Sequence, residues 1–266
     1  MTTGSELPEL RVLPSPDDVA AAAAGEIARV LADTIRERGV AHWATTGGSS
    51  AAPIYGHLRV APLRDAVDWS RVHTWWGDDR LVPADHPESN VRPLHQVLIA
   101  RGQGEGGDDG VEVPAENLHP IPISEAIADG SGRDGAARAY AAEVSALVPS
   151  APGGPPAFDL VVVGVGSDGH LLSVFPGSAV WDSPELVVGV PAPTHIEPHV
   201  ERVTLHPRLL ETAREVLVVT TGASKAENLG RAWTGDDVRE LPVRAARRTN
   251  AVWILDEAAA AGLVRG

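Results

Sequence analysis

The segment of this chain with the clearest chemical character is VVVGVGSDGHLLSVFPG, at residues 161–177. Three glycines follow an apolar run with the G-x-G-x-x-G spacing of a dinucleotide-binding turn. Asp168 and His170 stand inside and beside that turn, and a positioned histidine is well suited to general-base chemistry near neutral pH. The segment therefore predicts either a cradle for a pyrophosphate or a loop that carries catalytic groups.

The residues that follow this turn argue against a nucleotide site. A dinucleotide turn should open a helix packed on the sheet, with an acidic residue at the end of the next strand about 20 residues later. Here Pro176 and Gly177 interrupt any helix, and the next predicted strand, residues 186–190, ends in Val-Pro. Asp168 also places negative charge where a pyrophosphate would lie. The sequence thus favours a glycine turn that presents Asp168 and His170 at a strand end.

A second turn, TTGGSS at residues 45–50, follows a predicted strand and opens a predicted helix. The backbone N–H groups at Gly47 and Gly48, the helix N-terminus and the Ser49 hydroxyl together predict a phosphate cradle. An ordinary serine N-cap after a glycine turn explains the same residues equally well. Ser49 as an esterase nucleophile is a weaker hypothesis, because the G-x-S-x-G pattern needs glycine where Ala51 stands.

Acidic and basic side chains collect after the next predicted strand, in WWGDDRLVP and the HPESN segment behind it. Asp78 and Arg80 would lie at the carboxyl edge of the sheet, where ligands of parallel sheets bind. Opposite charges at that edge suit the orientation of ligand hydroxyls and of an anionic group. A surface ion pair in a loop is the alternative interpretation.

Two further cations and two histidines are candidates for ligand binding. Lys225, in TGASK, follows a strand and a glycine turn and would reach a phosphate as a point charge, although a solvated helix lysine is the alternative. Arg202, in ERVTL, is a cation candidate with a weaker signal. His195 and His199 have i,i+4 spacing, but flanking prolines argue against a helix and no H-E-x-x-H pattern is present. No metal site is predicted.

The elements that must position these turns alternate between helices and short apolar strands. Residues 16–38 combine early acids, apolar residues at helical spacing and late basic residues, which predicts a helix. The alternation predicts an α/β fold with a mainly parallel central sheet flanked by helices, in a single domain over residues 1–266. Residues 102–110 and 149–156 are predicted loops. A further helix is predicted at 51–58, and strands within 40–46 and at 72–76, 159–163, 186–190, 215–220 and 251–255.

Composition narrows the functional classes. The chain has 22 Lys and Arg against 36 Asp and Glu, a formal net charge of −14, which argues against a nucleic-acid surface. It has no cysteine, so disulfides, thiolate nucleophiles and cysteine-ligated zinc are excluded. The opening residues do not resemble a secretory signal, and no apolar run approaches the roughly 20 residues that cross a bilayer. A cytoplasmic protein without a membrane partner is expected.

Six segments, taken in order, resemble the 6-phosphogluconolactonase family, whose fold is shared with glucosamine-6-phosphate deaminase. They are TTGGSS, WWGDDRLVPADHPESN, GVGSDGHLLSVFPGS, ERVTL, TGASKAENL and NAVWILDEAA, and together they span nearly the whole chain. The resemblance implies a Rossmann-like sugar-phosphate isomerase/deaminase-type fold. It also implies hydrolysis of 6-phospho-D-glucono-1,5-lactone in the oxidative pentose phosphate pathway, without a cofactor, by a monomer or small homo-oligomer.

The resemblance assigns roles to matching residues. His170 is expected to activate the water that attacks the lactone carbonyl, Asp168 to set the site and Arg80 to orient the substrate. Backbone N–H groups of the turn at residues 166–169 are expected to stabilise the oxyanion. The phosphate is assigned to Gly48, Ser49, Arg202 and Lys225.

Departures from the family pattern leave two rival activities to consider. Asp79 replaces the family's usual Glu, Ser167 its frequent Pro, and Leu171-Leu172 its frequent Thr-Ala. A deaminase of this fold resembles D-G-H-x-x-x-x-E, but Phe175 stands where the acid is needed. A sugar-phosphate-binding regulator is the other rival, and it would not need Asp168 and His170.

Overall fold

The computed structural model describes residues 7–99, 110–150 and 153–263. Most of the predicted loop at 102–110, and two residues of the loop at 149–156, therefore lie outside the described residues. In chain order the strands are β1 (Glu9–Leu13), β2 (Ala41–Thr45), β3 (Val72–Trp76), β4 (Asp78–Arg80), β5 (Leu118–His119), β6 (Leu160–Val163), β7 (Val187–Val190), β8 (Arg202–Leu205), β9 (Glu215–Thr220) and β10 (Ala251–Asp256). The α-helices are α1 (Pro16–Arg38), α2 (Ala51–Leu58), α3 (Leu63–Ala66), α4 (Ile123–Ala128), α5 (Gly132–Leu147), α6 (Leu209–Thr212), α7 (Ala226–Thr234) and α8 (Glu257–Ala260).

A seven-stranded parallel sheet in the order β1-β10-β9-β6-β2-β3-β5 confirms the predicted fold class. Strands β2, β6 and β10 are buried along their whole length, because helices cover both faces of a parallel sheet. Their near-continuous apolar runs made them visible in the sequence. The half-exposed edge strand β1 and the two-residue β5 lack such runs and were not predicted.

The prediction that residues 186–190 join the parallel sheet is wrong. Strand β7 pairs antiparallel with β8, and β8 pairs antiparallel with β4, in a separate sheet of order β4-β8-β7. A four-residue apolar run indicates a strand but carries no information about the direction of its partner. The DDR segment of the sequence is itself β4, and the last four residues of the ERVTL segment are β8.

Helix α1 begins and ends where the sequence predicts. Its N-cap Ser15 accepts a hydrogen bond from the Asp18 N–H through its hydroxyl, at 3.2 Å. Gly39 ends the helix in the left-handed region, with φ of 83°, which a residue without Cβ adopts at least cost. The alanine-rich buried face packs closely against the sheet, so α1 forms a rigid backing for β2, β9 and β10.

Two hydrophobic clusters meet beside the carboxyl edge of the parallel sheet. The larger surrounds that sheet and includes four fully buried tryptophans, Trp43, Trp75, Trp76 and Trp253. The smaller lies under the antiparallel sheet and comprises Val174, Phe175, Val180 and Val190. Over the described ranges, no helix combines the length and apolar composition needed to span a bilayer.

Candidate active site

One pocket at the carboxyl edge of the parallel sheet collects most of the predicted site residues. Strand ends of the parallel sheet form one side of it and strands β4 and β8 of the antiparallel sheet form the other. The pocket is lined by Thr46, Gly47, Gly48, Ser49, Ser50, Asp78, Arg80, Asn90, Gly164, Val165, Gly166, His170, Leu172 and Arg202. Seven of the nine predicted site residues therefore line one pocket: Gly47, Gly48, Ser49, Asp78, Arg80, His170 and Arg202. Asp168 is hydrogen-bonded to His170 without lining the pocket, and Lys225 is not among the lining residues.

Asp168 holds His170 in one orientation. The His170 Nδ1 lies 2.5 Å from Asp168 Oδ1, and each side chain keeps 18% of its surface exposed. A carboxylate only accepts hydrogen bonds, so Nδ1 carries a proton, and in the neutral ring Nε2 is then the nitrogen with the free lone pair. Burial opposes the charge of Asp168, but the hydrogen bond and charge of His170, joined by a bond to His195, hold the pKa of that carboxyl well below its usual value. The pair is thus arranged as a base with an ionised partner.

Gly166 makes the close packing of this pair possible. A Cβ at that position would lie 2.0 Å from His170 Nδ1 and 2.7 Å from Asp168 Oδ1, distances that no side chain tolerates. The same turn narrows the set of N–H groups that could stabilise an oxyanion, because two of the four expected donors have partners within it. The Gly166 N–H donates to His170 O and the Gly169 N–H donates to Gly166 O, at 2.9 and 3.0 Å. These two N–H groups are already used inside the turn, which needs them to hold its shape.

Two arginines of the antiparallel sheet face the pocket side by side. Arg80 and Arg202 stand directly opposite each other on β4 and β8, and like charges in that position repel. Arg202 is only 3% exposed, and its pKa is lowered by burial and by the charge of Arg80, with Asp78 opposing. The Nε atoms of both arginines are buried without a hydrogen-bond partner. Two adjacent guanidinium groups, each with a buried Nε that has no partner, are suited to an anion such as a phosphate.

Buried hydrogen bonds from Ser89 and Asn90 to Asp79, together called the clasp, hold the loop that follows β4. The two oxygens of Asp79 accept hydrogen bonds from the Asn90 N–H, the Arg80 N–H and the Ser89 hydroxyl, at 2.7 to 3.0 Å. Burial raises the pKa of Asp79 to about 6, with the charge of Asp78 adding to it against these bonds. The shorter Asp79, which departs from the family's glutamate, thus anchors the loop and does not line the pocket.

The predicted cradle lies opposite the clasp. Residues Gly48–Ser50 form a single 3-10 turn that leads into α2, and Gly47, Gly48 and Ser49 all line the pocket. A Cβ on Gly47 would lie 1.9 Å from Asn90 Oδ1, so only glycine lets the cradle approach the clasp. No hydrogen bond within the described ranges joins the Ser49 hydroxyl to a histidine, which leaves a serine nucleophile without its base.

Lys225 is the N-cap of α7, a helix that contacts the turn at residues 166–169. Its Nζ is 3.1 Å from the Ser224 hydroxyl. One helical turn further on, Asn228 donates a 2.7 Å hydrogen bond to the backbone carbonyl of Ser167. Residues three apart on a helix share a face, so Lys225 is on the side of α7 that approaches the turn. Its role in binding phosphate stays a prediction.

Phe175 occupies the position where a deaminase would carry an acid. Its ring packs 4.8 Å from the His170 ring and 5.6 Å from the His195 ring, and the Arg202 guanidinium lies 5.3 Å from its centroid. An apolar ring at the centre of these groups supports their packing and supplies no proton. Leu172, another departure from the family, also lines the pocket. Its backbone is in the left-handed conformation, with φ of 53°.

Sequence reasoning missed two functional candidates. Asn90 lines the pocket with an unpartnered Oδ1, but its HPESN segment gives no signal that separates it from a surface loop. For His195 the sequence offers only an i,i+4 spacing to His199. In the structure its Nε2 lies 2.8 Å from Asp168 Oδ2. No periodicity links residues 168 and 195, so only the folded chain reveals this contact.

Comparison with known proteins supports the resemblance. The family described as Glucosamine-6-phosphate isomerases/6-phosphogluconolactonase matches residues 14–254. A 6-phosphogluconolactonase of Streptomyces coelicolor is 34% identical over 267 residues, covering 98% of this chain and 97% of that protein. One of Mycobacterium tuberculosis is 32% identical over 257 residues, covering 96% and 98%.

Solved structures agree with these relatives. The 6-phosphogluconolactonase from Trypanosoma cruzi has a TM-score of 0.81 at 27% identity, covering 98% of each chain. A monomeric glucosamine-6-phosphate deaminase, with a TM-score of 0.72 at 18% identity, covers 95% of this chain and 99% of its own and shares the fold. The predicted family is confirmed: this chain belongs to the glucosamine-6-phosphate isomerase/6-phosphogluconolactonase family.

Proposed function

We propose that this chain hydrolyses 6-phospho-D-glucono-1,5-lactone to 6-phospho-D-gluconate in the oxidative pentose phosphate pathway. The observation that carries the proposal is a histidine–aspartate pair and two adjacent arginines, one of them buried, that face one pocket. Family membership supports the same reaction, because the relatives and the Trypanosoma structure compared above are 6-phosphogluconolactonases. The partner of the site is a phosphorylated sugar lactone, and the proposed chemistry needs no cofactor.

His170 is the general base of the proposed reaction. Its Nε2 takes a proton from a water molecule while the water oxygen bonds to C1 of the lactone. The carbonyl electron pair moves onto its oxygen and forms a tetrahedral intermediate. When the pair returns, the bond between C1 and the ring oxygen breaks, and the ring oxygen takes the proton back from His170. The product has a carboxyl group at C1 and a free hydroxyl at C5.

Asp168 and the arginines supply the electrostatics of this mechanism. The ionised Asp168 stabilises the imidazolium that forms when His170 is protonated. Arg80 orients the substrate, and Arg202, Gly47, Gly48 and Ser49 bind the phosphate. Asp78 accepts a hydrogen bond from a sugar hydroxyl. A δ-lactone is a reactive ester, so an oriented water and a base suffice without a covalent enzyme intermediate.

Two alternative functions agree less well with particular residues of the site. An amino-sugar-phosphate deaminase needs an acid where Phe175 packs against His170. A non-catalytic sugar-phosphate-binding protein has no use for the hydrogen bond between Asp168 and His170. A cytoplasmic location, a single domain and a monomeric or small homo-oligomeric state belong to the proposal as well.

The test is hydrolysis of freshly generated lactone in the presence of a chelator. We expect the wild-type protein to accelerate disappearance of the lactone well above its spontaneous rate. His170→Ala should lower kcat by about 100- to 10,000-fold, because it removes the base, while 6-phosphogluconate still binds. Calorimetric titration with product checks that binding is retained. Full activity in His170→Ala would contradict the mechanism.

Lys225→Ala examines the phosphate assignment separately. Lys225 is the only lysine of the chain, so this variant removes its single side-chain amine. We expect a several-fold higher KM for the phosphorylated lactone and little change for unphosphorylated gluconolactone, since only the former offers a phosphate. Equal losses on the two substrates would remove Lys225 from the phosphate site.

A further inference from the structure

Asp168 binds a different histidine with each of its oxygens. Oδ1 lies 2.5 Å from His170 Nδ1, and Oδ2 lies 2.8 Å from His195 Nε2. Because an ionised carboxylate can only accept, both ring nitrogens must carry protons. The carboxylate of the proposed base pair is therefore shared between two imidazoles, of which only His170 lines the pocket.

His195 reaches Asp168 from another part of the fold. It lies in the loop between β7 and β8 of the antiparallel sheet, whereas Asp168 follows β6 of the parallel sheet. Phe175 packs against both histidine rings, edge-on to His195 and tilted towards His170. The hydrogen bond thus ties the base pair to the second sheet, and the aromatic ring between them keeps both imidazoles in place.

We infer that His195 is a positioning residue, which holds Asp168 in register with His170 and sets the pH range in which His170 acts as a base. The inference rests on the proposed function, because it acts through His170. His195 does not line the pocket, so it affects the reaction through Asp168 and not through the substrate.

The direction of the effect follows from the charge on the shared carboxylate. A hydrogen bond from neutral His195 draws negative charge away from Oδ1, so Asp168 stabilises a protonated His170 less strongly. A protonated His195 opposes that proton further by repulsion. The His195 side chain is 48% exposed, so solvent reaches the ring that bonds Asp168. Removal of His195 should therefore move protonation of His170 to higher pH.

Other charges around this pair do not replace His195. Arg202 of β8 carries a constant positive charge beside Phe175. In the same loop, His199 bonds Pro193 O and pairs with Glu197, which is 80% exposed and therefore well screened. Among the contacts of the described residues, His195 makes the second side-chain bond to Asp168.

The test compares two substitutions at one position. His195→Phe keeps a ring beside Phe175 but has no donor, so Asp168 loses the bond that positions it, and we expect kcat to fall about tenfold because His170 is less well aligned with the substrate. The KM for the lactone should stay within about twofold, and the acid limb of the kcat/KM profile should move up by about 0.5 to 1 pH unit. His195→Gln keeps a donor and should recover most of kcat.

His199→Gln is the control for a loop-wide disturbance, because it changes a histidine of the same loop that does not touch Asp168. A second readout needs no lactone: NMR titration of the His170 ring should show the same upward shift in His195→Phe. Unchanged titration and unchanged kcat in His195→Phe would overturn the inference, as would equal losses in all three variants. If the wild type hydrolyses no lactone, the proposed function fails, and the NMR titration alone decides the coupling.

Discussion

Buried charges occur at both edges of the parallel sheet, but they are arranged differently. At the amino edge, Asp159 is almost fully buried and is bonded by Arg38, by Arg214 at 3.3 Å and by the His42 N–H at 2.8 Å. Nearby, Glu26 is held by Arg11 and Arg29. Each carboxylate there has more than one donor, which compensates the cost of its burial.

At the carboxyl edge the buried groups converge without being satisfied. Arg80 Nε, Arg202 Nε and Asn90 Oδ1 have no partner, and all three residues line one pocket. Unpartnered atoms also occur singly in the described chain, as at Trp43 and Arg244, but those residues do not line this pocket. The comparison indicates two uses of charged groups: at the amino edge paired charges hold the fold together, and at the carboxyl edge we propose that the unpartnered atoms facing one pocket bind a ligand.

Of the substitutions that test this difference between the edges, the one at Arg202 is expected to have the largest effect, and the effect is on ligand binding. Arg202→Met keeps the apolar stem beside Phe175 and removes the charge, so we expect KM for the phosphorylated lactone to rise about 10- to 100-fold, as for a lost charge-assisted hydrogen bond. The free energy of unfolding should stay the same or rise, because a buried charge without a full set of partners is removed. Steady-state kinetics and urea unfolding measure the two quantities. Lower stability with an unchanged KM would make this arginine part of the scaffold.

The opposite result is expected at the amino edge. Asp159→Ala should lower the free energy of unfolding by about 1 to 3 kcal/mol, because it leaves the buried His42 N–H and the Arg38 guanidinium without their acceptor. The partial exposure of Arg38 limits the cost, since its charge can turn towards water. The kcat/KM for the lactone should not change. A large kinetic defect with normal stability would break the distinction between the edges.

A smaller effect concerns pH and the histidines near the amino edge. His42 stacks on His73 and His73 bonds His119, and burial with these neighbours lowers the pKa of His42 to about 4. Between about pH 6.5 and pH 4 the unfolded chain therefore binds more protons, so stability is lost as the pH falls through that range. From pH 7.5 to pH 5 we expect a loss of roughly 1 to 2 kcal/mol from His42.

Urea unfolding of the wild type and His42→Gln at both pH values isolates this contribution. The difference between the two proteins is the quantity to compare, because Asp79 acts in the opposite direction: its raised pKa favours the folded state as the pH falls through 6. His57→Gln, at a more exposed histidine bound to Asp17, is the matched control. Identical pH dependence in the wild type and His42→Gln would rule out His42 as the source.

The sequence specified the parallel sheet and most of the site for a common physical reason. Buried parallel strands have nearly continuous apolar sequences, which can be recognised without a structure. The turns after them contain the glycines and polar groups that a ligand needs, as in TTGGSS and GSDGH. The features that could not be predicted depend on contacts between residues far apart in the sequence. The antiparallel partnership of β7, the register that sets Arg80 against Arg202, and the bond from His195 to Asp168 leave no local pattern.

The division of the pocket between two sheets has a mechanical consequence. His170 follows β6 of the parallel sheet, whereas Arg80 and Arg202 belong to the antiparallel one. A phosphorylated lactone bound by both becomes a noncovalent crosslink between separately hydrogen-bonded layers. Ligand that binds only the assembled pocket stabilises it in proportion to the logarithm of its concentration. Bound product should thus slow amide exchange in β4 and β8, whose sheet adjoins the pocket, more than in the interior of β9.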